Sequence, residues 1–522
     1  MHRLLMAMLA GMLALPTGAA QLPENDYAAA CRRLVDKDFG DVEDAPTQVT
    51  ATQMVAAEGR TPAYCKVAGY VAPTVGIELR MPVTNWNGKF LQYGCGGFCG
   101  SLSNAVICDN LIARGYACIV SDMGHKSTGK DAKWAFNNLQ GKIDFGYRAT
   151  HVTALAGKAI ATHFYSSAPK RSYFVGCSTG GRQALVSAQR FPHDFDGIIG
   201  GAPPVNQTGN GLGLVWTVQS LSPQGRPLFT NRELQWVNSE VVAACDMNDG
   251  VKDGLIGDPT ACQFNPDVLQ CDTARTAPCL SAEQVDAIQK VYSGPLDLSG
   301  KKLFTGGLER GSEYSWPDFL AGVDGTPSSY DAWMHEEFRY MSFMPDPGPA
   351  WKLSDFDWER DSKRLGMTET LYNAGNPDLR QFKASGAKFI LYQGWLDRMV
   401  MPSQAVDYYE SVERQMGGRE ATQDFFRLFM VPDMDHCLGG PGADTIDYLS
   451  ALEAWVERGE APDKLLAVRG KPDPAFPDWL RPLPVPAGLV QFSRPVFPYP
   501  TKTAYKGGDP SLAESFIGVP VR

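Results

Sequence analysis

The chain has 522 residues, 44% of them hydrophobic and 20% charged, with a formal net charge of −10 at pH 7. That acidity leaves no basic stripe to neutralise phosphates, which excludes a nucleic-acid binder. The length exceeds what one simple core holds and predicts one large domain with an insertion, or two domains.

The first twenty residues, MHRLLMAMLAGMLALPTGAA, join a basic start, a short apolar stretch and a small-residue end. They read as a secretory signal peptide cleaved after Ala20, which predicts a secreted or periplasmic protein. No later apolar run reaches the roughly 18 residues of a membrane span, so no membrane partner is expected. Twelve cysteines follow the signal. An even number in an exported chain predicts disulfides. The close spacings of Cys95 with Cys99 and Cys271 with Cys279 suit local bridges, and zinc-type CxxC or CxxH spacings are missing.

Further along, GIELRMPVTNWNGKFLQYGCGG alternates and ends in glycines, as a strand pair followed by a loop does. DNLIARGYACIVSDMGH reads as a helix end, a glycine turn and a buried strand. Residues 149–164 have helical spacing, SYFVGCS is a strand, 180–191 is a helix and FDGIIGGAPP is another strand. This alternation predicts a parallel sheet covered on both faces. It stops near Val205. Residues 206–374 are rich in Trp, Pro, Asp and Cys and read as a lid domain of about 170 residues. The rhythm returns with the strand in AKFILYQGWLD, a helix over 403–416, the strand in FRLFMVPDMDH and a helix over 444–458. The expected fold is therefore α/β, in two parts: residues 21–205 and 375–522. The Pro-rich tail from 471 is expected to wrap the surface.

Gly176-Cys177-Ser178-Thr179-Gly180 fits G-x-S-x-G between a strand and a helix. Such a corner exposes a serine hydroxyl at the carboxyl edge of a sheet and aims the next N–H, that of Thr179, at a developing oxyanion. A serine of ordinary pKa needs a base. In this chain order the base follows the serine, leaving His193, His335 and His436. His193 lies at the far end of the serine's own helix and His335 in the insertion. His436 stands in the loop after a late strand. Asp397, after the preceding strand, is the expected acid; Asp433 and Asp435 lie too near His436 in sequence to reach its Nδ1 from behind. Cys177 precedes the serine and Cys437 follows the histidine. A bridge between them would bring nucleophile and base together.

Cys-Ser…Asp…His-Cys, with CSTGGRQALVSAQRFPHDFDGIIGGAPP, LYQGWLD, VPDMDHCLGGPG and LEAWVERGEAPDKL, resembles the tannase/feruloyl esterase family over nearly the whole mature chain. The resemblance implies an α/β-hydrolase fold with a large inserted lid, and a secreted serine esterase for aromatic carboxylic esters. It implies a second oxyanion donor in GCGGFCGS, near Gly97. It also implies a structural Ca2+ in the lid, held by Asp246, Asp249 and Asp253 with the Val251 and Leu255 carbonyls. The bridges it suggests are Cys31–Cys65 and Cys271–Cys279, with Cys245–Cys262 stapling the calcium loop. Cys95, Cys99, Cys108 and Cys118 stay unassigned, Cys118 being a candidate free thiol in a buried strand.

The expected partner is a small aromatic ester or a feruloylated plant cell-wall saccharide. Galloyl esters and terephthalate monoesters are alternatives, as are, from other classes, a serine peptidase and a non-catalytic glycan-binding protein. Trp316, Trp333, Phe338, Tyr340, Phe343 and Trp351 could face an aromatic acyl group, but most are expected to be lid core. Arg339 is expected to pair with Glu336 or Glu337 rather than with a substrate carboxylate.

Overall fold

The computed structural model describes residues 24–272, 278–472 and 483–521. The expected signal peptide, residues 1–20, lies outside the described residues. Among the described residues, nine strands form one sheet: β1 (Thr47–Val55), β2 (Tyr64–Val71), β3 (Val75–Pro82), β4 (Lys89–Tyr93), β5 (Ala117–Ser121), β6 (Arg171–Cys177), β7 (Gly197–Gly201), β8 (Lys388–Gly394) and β9 (Phe426–Val431). Their order is β1-β2-β3-β5-β4-β6-β7-β8-β9.

From β5 to β9 the neighbours are parallel, and their side chains alternate between two cores. Phe90, Ile119, Phe389 and Leu391 enter one. Leu91, Val120, Ile390 and Tyr392 enter the other. Burial on both faces explains why these strands read as continuous apolar runs. The helices Ala149–Tyr165, Thr179–Arg190, Ser403–Met416 and Tyr448–Arg458 fall close to the expected spans.

Two strand expectations are corrected. The sheet is mixed, because β1, β2, β3 and β5 pair antiparallel. The run containing β3 and β4 is also not a strand pair: β5 lies between them, antiparallel to β3 and parallel to β4. A short connection made the two look adjacent, while the pairing is fixed by a strand more than twenty residues downstream.

Among the described residues, none from 202 to 387 adds a strand to this sheet. The helices Gln207–Leu221, Asn231–Cys245, Ala282–Ser293 and Ser329–Tyr340 instead build a third core. Trp316, Phe338, Phe343 and Trp351 are buried in it. The tail contains regular structure beyond the surface wrap expected of it: its β11 (Val490–Val496) pairs with β10 (Leu465–Gly470), the strand just before the tail, and β12 (Lys502–Tyr505) pairs with β13 (Phe516–Val519).

All twelve cysteines are bridged. The pairs are Cys31–Cys65, Cys95–Cys99, Cys108–Cys118, Cys177–Cys437, Cys245–Cys262 and Cys271–Cys279. Cys118 is therefore not a free thiol. It staples β5 to the helix Ile107–Ala113, with a Cα separation of 5.6 Å from Cys108. A cysteine on a buried strand looks the same in sequence whether its neighbour across the layer is apolar or another sulfur.

Candidate active site

β6 ends at Cys177 and the next helix starts at Thr179, so Ser178 must turn the chain in a single residue. It does so at φ 62° and ψ −125°, a conformation that side chains disfavour. The corner is tight: a Cβ on Gly176 would stand 2.6 Å from the Gly180 carbonyl oxygen. The Ser178 N–H donates to the Gly201 carbonyl at 2.9 Å, anchoring the turn to β7.

The Thr179 N–H opens the helix, where first-turn N–H groups lack intrahelical acceptors. Its side chain donates to the Gly97 carbonyl at 2.6 Å, which joins the two residues expected at the oxyanion site. Gly97 has φ +57°, and a Cβ there would meet the Gly129 carbonyl oxygen at 2.5 Å. The Cys95–Cys99 bridge closes this loop.

Asp397 follows β8 and is buried, at 1% exposure. Its Oδ1 accepts from the Met399 and Val400 N–H groups at 2.8 and 2.9 Å. Its Oδ2 accepts from Gln393 Nε2 at 2.9 Å and lies 2.8 Å from His436 Nδ1. Burial pulls the imidazole pKa down, and the charge and hydrogen bond of Asp397 more than reverse this, leaving it above its ordinary value. His436 Nε2 is buried and has no hydrogen-bond partner among the described residues. The Cys177–Cys437 bridge, with a Cα separation of 5.9 Å, ties the neighbour of Ser178 to the neighbour of His436 across 260 residues of chain.

The competing residues are engaged elsewhere. Asp435 pairs with Arg398 and accepts from the His436 N–H at 2.7 Å. Asp433 accepts from the Ile256 and Gly257 N–H groups at 3.0 and 2.9 Å. His335 is hydrogen-bonded within the lid, through Nδ1 to the Asp331 carbonyl and through Nε2 to the Leu353 N–H.

A cavity opens beside Ser178, Thr179 and Gly97. Its walls include Phe98, Leu214, Tyr330, Trp333, Met334 and Val400, with Gln207, Asn210 and Glu337 as polar members. Of the lid aromatics singled out in the sequence, Trp333 alone lines it. The Tyr330 wall and the Glu337 carboxyl were missed, although Tyr330, Trp333, Met334 and Glu337 share one helical face by spacing. No lysine or arginine is among the described lining residues. Arg339 lies outside the cavity and does not form the expected ion pair: its Nε donates to the Trp351 carbonyl at 2.7 Å. Glu336 instead accepts from the Ala132 N–H, and Glu337 from Gln207.

The acidic lid loop lies close to the His436 loop in space. Asp246 Oδ1 accepts from the Asp253 and Gly254 N–H groups, and Asp253 Oδ2 pairs with Arg494 of β11 at 2.6 Å. Burial pushes the Asp249 carboxyl up to about 6, with Asp253 and Asp433 adding repulsion. The donors are all oxygens, as a hard cation requires. Among the described residues, three acidic side chains do not by themselves converge as a metal centre. The Val251 and Leu255 carbonyls would have to complete the set.

A mostly parallel sheet with a serine at the strand-to-helix corner after β6, and an inserted lid over it, defines an α/β-hydrolase. The family model for tannase and feruloyl esterase matches residues 58–519. The chain belongs to that family and is a carboxylic ester hydrolase. It is 33% identical to the mono(2-hydroxyethyl) terephthalate hydrolase of Piscinibacter sakaiensis, over 94% of this chain and 91% of that one. It is 32% identical to a probable feruloyl esterase B-2 of Aspergillus flavus, over 78% and 80%. The crystal structure of feruloyl esterase B from Aspergillus oryzae superposes with a TM-score of 0.81 at 25% identity, covering 94% of this chain and all of that one.

Proposed function

We propose that this protein is a secreted serine esterase that hydrolyses esters of aromatic, feruloyl-type carboxylic acids. Ser178 attacks the ester carbonyl while His436 takes its proton. Asp397 holds the imidazole tautomer and stabilises the imidazolium. The N–H groups of Thr179 and Gly97 receive the oxyanion. His436 then protonates the leaving alcohol and activates water for deacylation. The observation that carries the reading is the buried, unpartnered Nε2 of His436, with Nδ1 already held by Asp397 and the histidine bridged through Cys437 to the serine's neighbour. Six disulfides support an exported protein.

The aromatic walls favour a planar acyl group. The absence of lysine and arginine from the described cavity lining favours feruloyl-type acids over terephthalate monoesters, whose free carboxylate would want a cation. For calcium, the all-oxygen composition of the loop supports a structural ion held by Asp246, Asp249, Asp253 and the Val251 and Leu255 carbonyls. The test of the catalytic reading is release of ferulic acid from methyl ferulate. Ser178→Ala is expected to lose on the order of 10⁴-fold or more in kcat. Equal rates for the two proteins would overturn it.

A further inference from the structure

The helix Ser329–Tyr340 turns Tyr330, Trp333, Met334 and Glu337 toward the Ser178 cavity. The spacing is that of an apolar helix face, yet a carboxyl group ends it. Glu337 is 3% exposed. Nothing about the helix calls for an acid there. Burial penalises its charge. It stands in the last helical turn, where the macrodipole disfavours an anion. Among the described residues no ion pair offsets it.

Its Oε1 accepts from Gln207 Nε2 at 3.2 Å and from Ser342 Oγ at 3.5 Å, and neither bond uses Oε2. Gly211 lets the helix Gln207–Leu221 pack against this carboxyl: a Cβ there would sit 3.0 Å from Oε1. Burial pushes the carboxyl up to about 7, against the pull of Gln207, Ser342 and the Arg182 charge. The other titratable groups facing it are the Tyr330 phenol on its own helix and the Tyr372 phenol.

We propose that Glu337 is a specificity-determining residue: it accepts a hydrogen bond from a hydroxyl on the acyl ring and turns away acyl groups that carry a second carboxylate. The proposal rests on the esterase reading above. The remaining walls supply an apolar slot for the ring, and Oε2 supplies the acceptor. An acyl group lacking the hydroxyl brings no donor to Oε2, a difference polar sites use to discriminate. A carboxylate in the same place adds a like charge in a low-dielectric pocket.

The test compares kcat/KM for methyl p-coumarate, methyl cinnamate and a terephthalate monoester in wild type and Glu337→Gln. The amide keeps an acceptor for Gln207 and Ser342 and removes the charge. The p-coumarate to cinnamate ratio is expected to fall about tenfold and the terephthalate to cinnamate ratio to rise about tenfold. Unchanged ratios would overturn the proposal. The wild type gives a second measurement that needs no variant. From about pH 5.5 to about pH 7.5 its p-coumarate preference rises as Glu337 loses its proton, whereas a flat ratio speaks against the assignment. Effects on His436 cancel in that ratio. If wild type cleaves none of the three esters, the esterase reading falls and takes this proposal with it; that outcome is distinct from cleavage with unaltered selectivity.

Discussion

Asp397 spends one carboxylate on two backbone N–H groups, the Gln393 amide and the His436 ring. That leaves it a single orientation, and it leaves the imidazole a single useful tautomer, with Nε2 open. Asp397→Asn keeps the shape but favours the wrong tautomer, so kcat is expected to fall about 10⁴-fold. The pH profile separates orientation from simple damage. His436 must be neutral to act as a base, and Asp397 holds its pKa above the ordinary value. The acid limb of kcat/KM in wild type therefore lies at that raised pKa, with activity lost as pH falls through it. In Asp397→Asn the limb shifts to lower pH; an unmoved limb would remove Asp397 from the role. The Asp397–His436 contact was legible because G-x-S-x-G is local and the order of acid and base along the chain is restricted. Glu337 was not. In SYDAWMHEEFRY it reads like Glu336 beside it, a solvated charge, and only its alignment with Tyr330, Trp333 and Met334 marks it as inward.

Elements set the distance between those residues. The loop after β9 carries His436 and is fixed by the Cys437 bridge and by Asp433, which takes two N–H groups from the lid loop. Replacing both Cys177 and Cys437 by alanine removes a cross-link over 260 residues. The chain-entropy estimate puts its loss at roughly 5 kcal/mol, readable by denaturant titration. kcat is expected to suffer more than KM, because half of the cavity lining comes from the lid while the bridge positions His436, the proposed base. Full stability and full kcat in the double variant would make the bridge incidental. This tie was readable because each sulfur sits beside a motif residue. Strand partners were harder: β3 and β4 are near in sequence, yet each is aligned by β5. Their own residues record burial, and burial does not say which strand lies alongside.

At the scale of the molecule, two cores grip the sheet and a third supports the lid. The acidic loop is where these parts meet. Asp253 reaches Arg494 on the tail, Asp249 belongs to the lid, and the Ile256 and Gly257 N–H groups hold Asp433 three residues before His436. The family resemblance implies a structural calcium ion in this loop. Spatially, the loop it would order braces the loop that carries His436, the proposed base. Ions that bind the folded state alone stabilise it by mass action, by about 2.7 kcal/mol at a hundredfold excess over Kd. Chelator-treated protein is therefore expected to melt several degrees lower, and added Ca2+ to restore both Tm and kcat. Asp249→Asn removes a carboxylate from the set without disturbing the Asp433 bonds, and its Tm is expected to respond far less to Ca2+. If Tm of the chelated wild type does not move with Ca2+, the loop is closed by Arg494 and its own N–H groups alone. If Tm recovers but kcat does not, the ion steadies the lid without bracing the base.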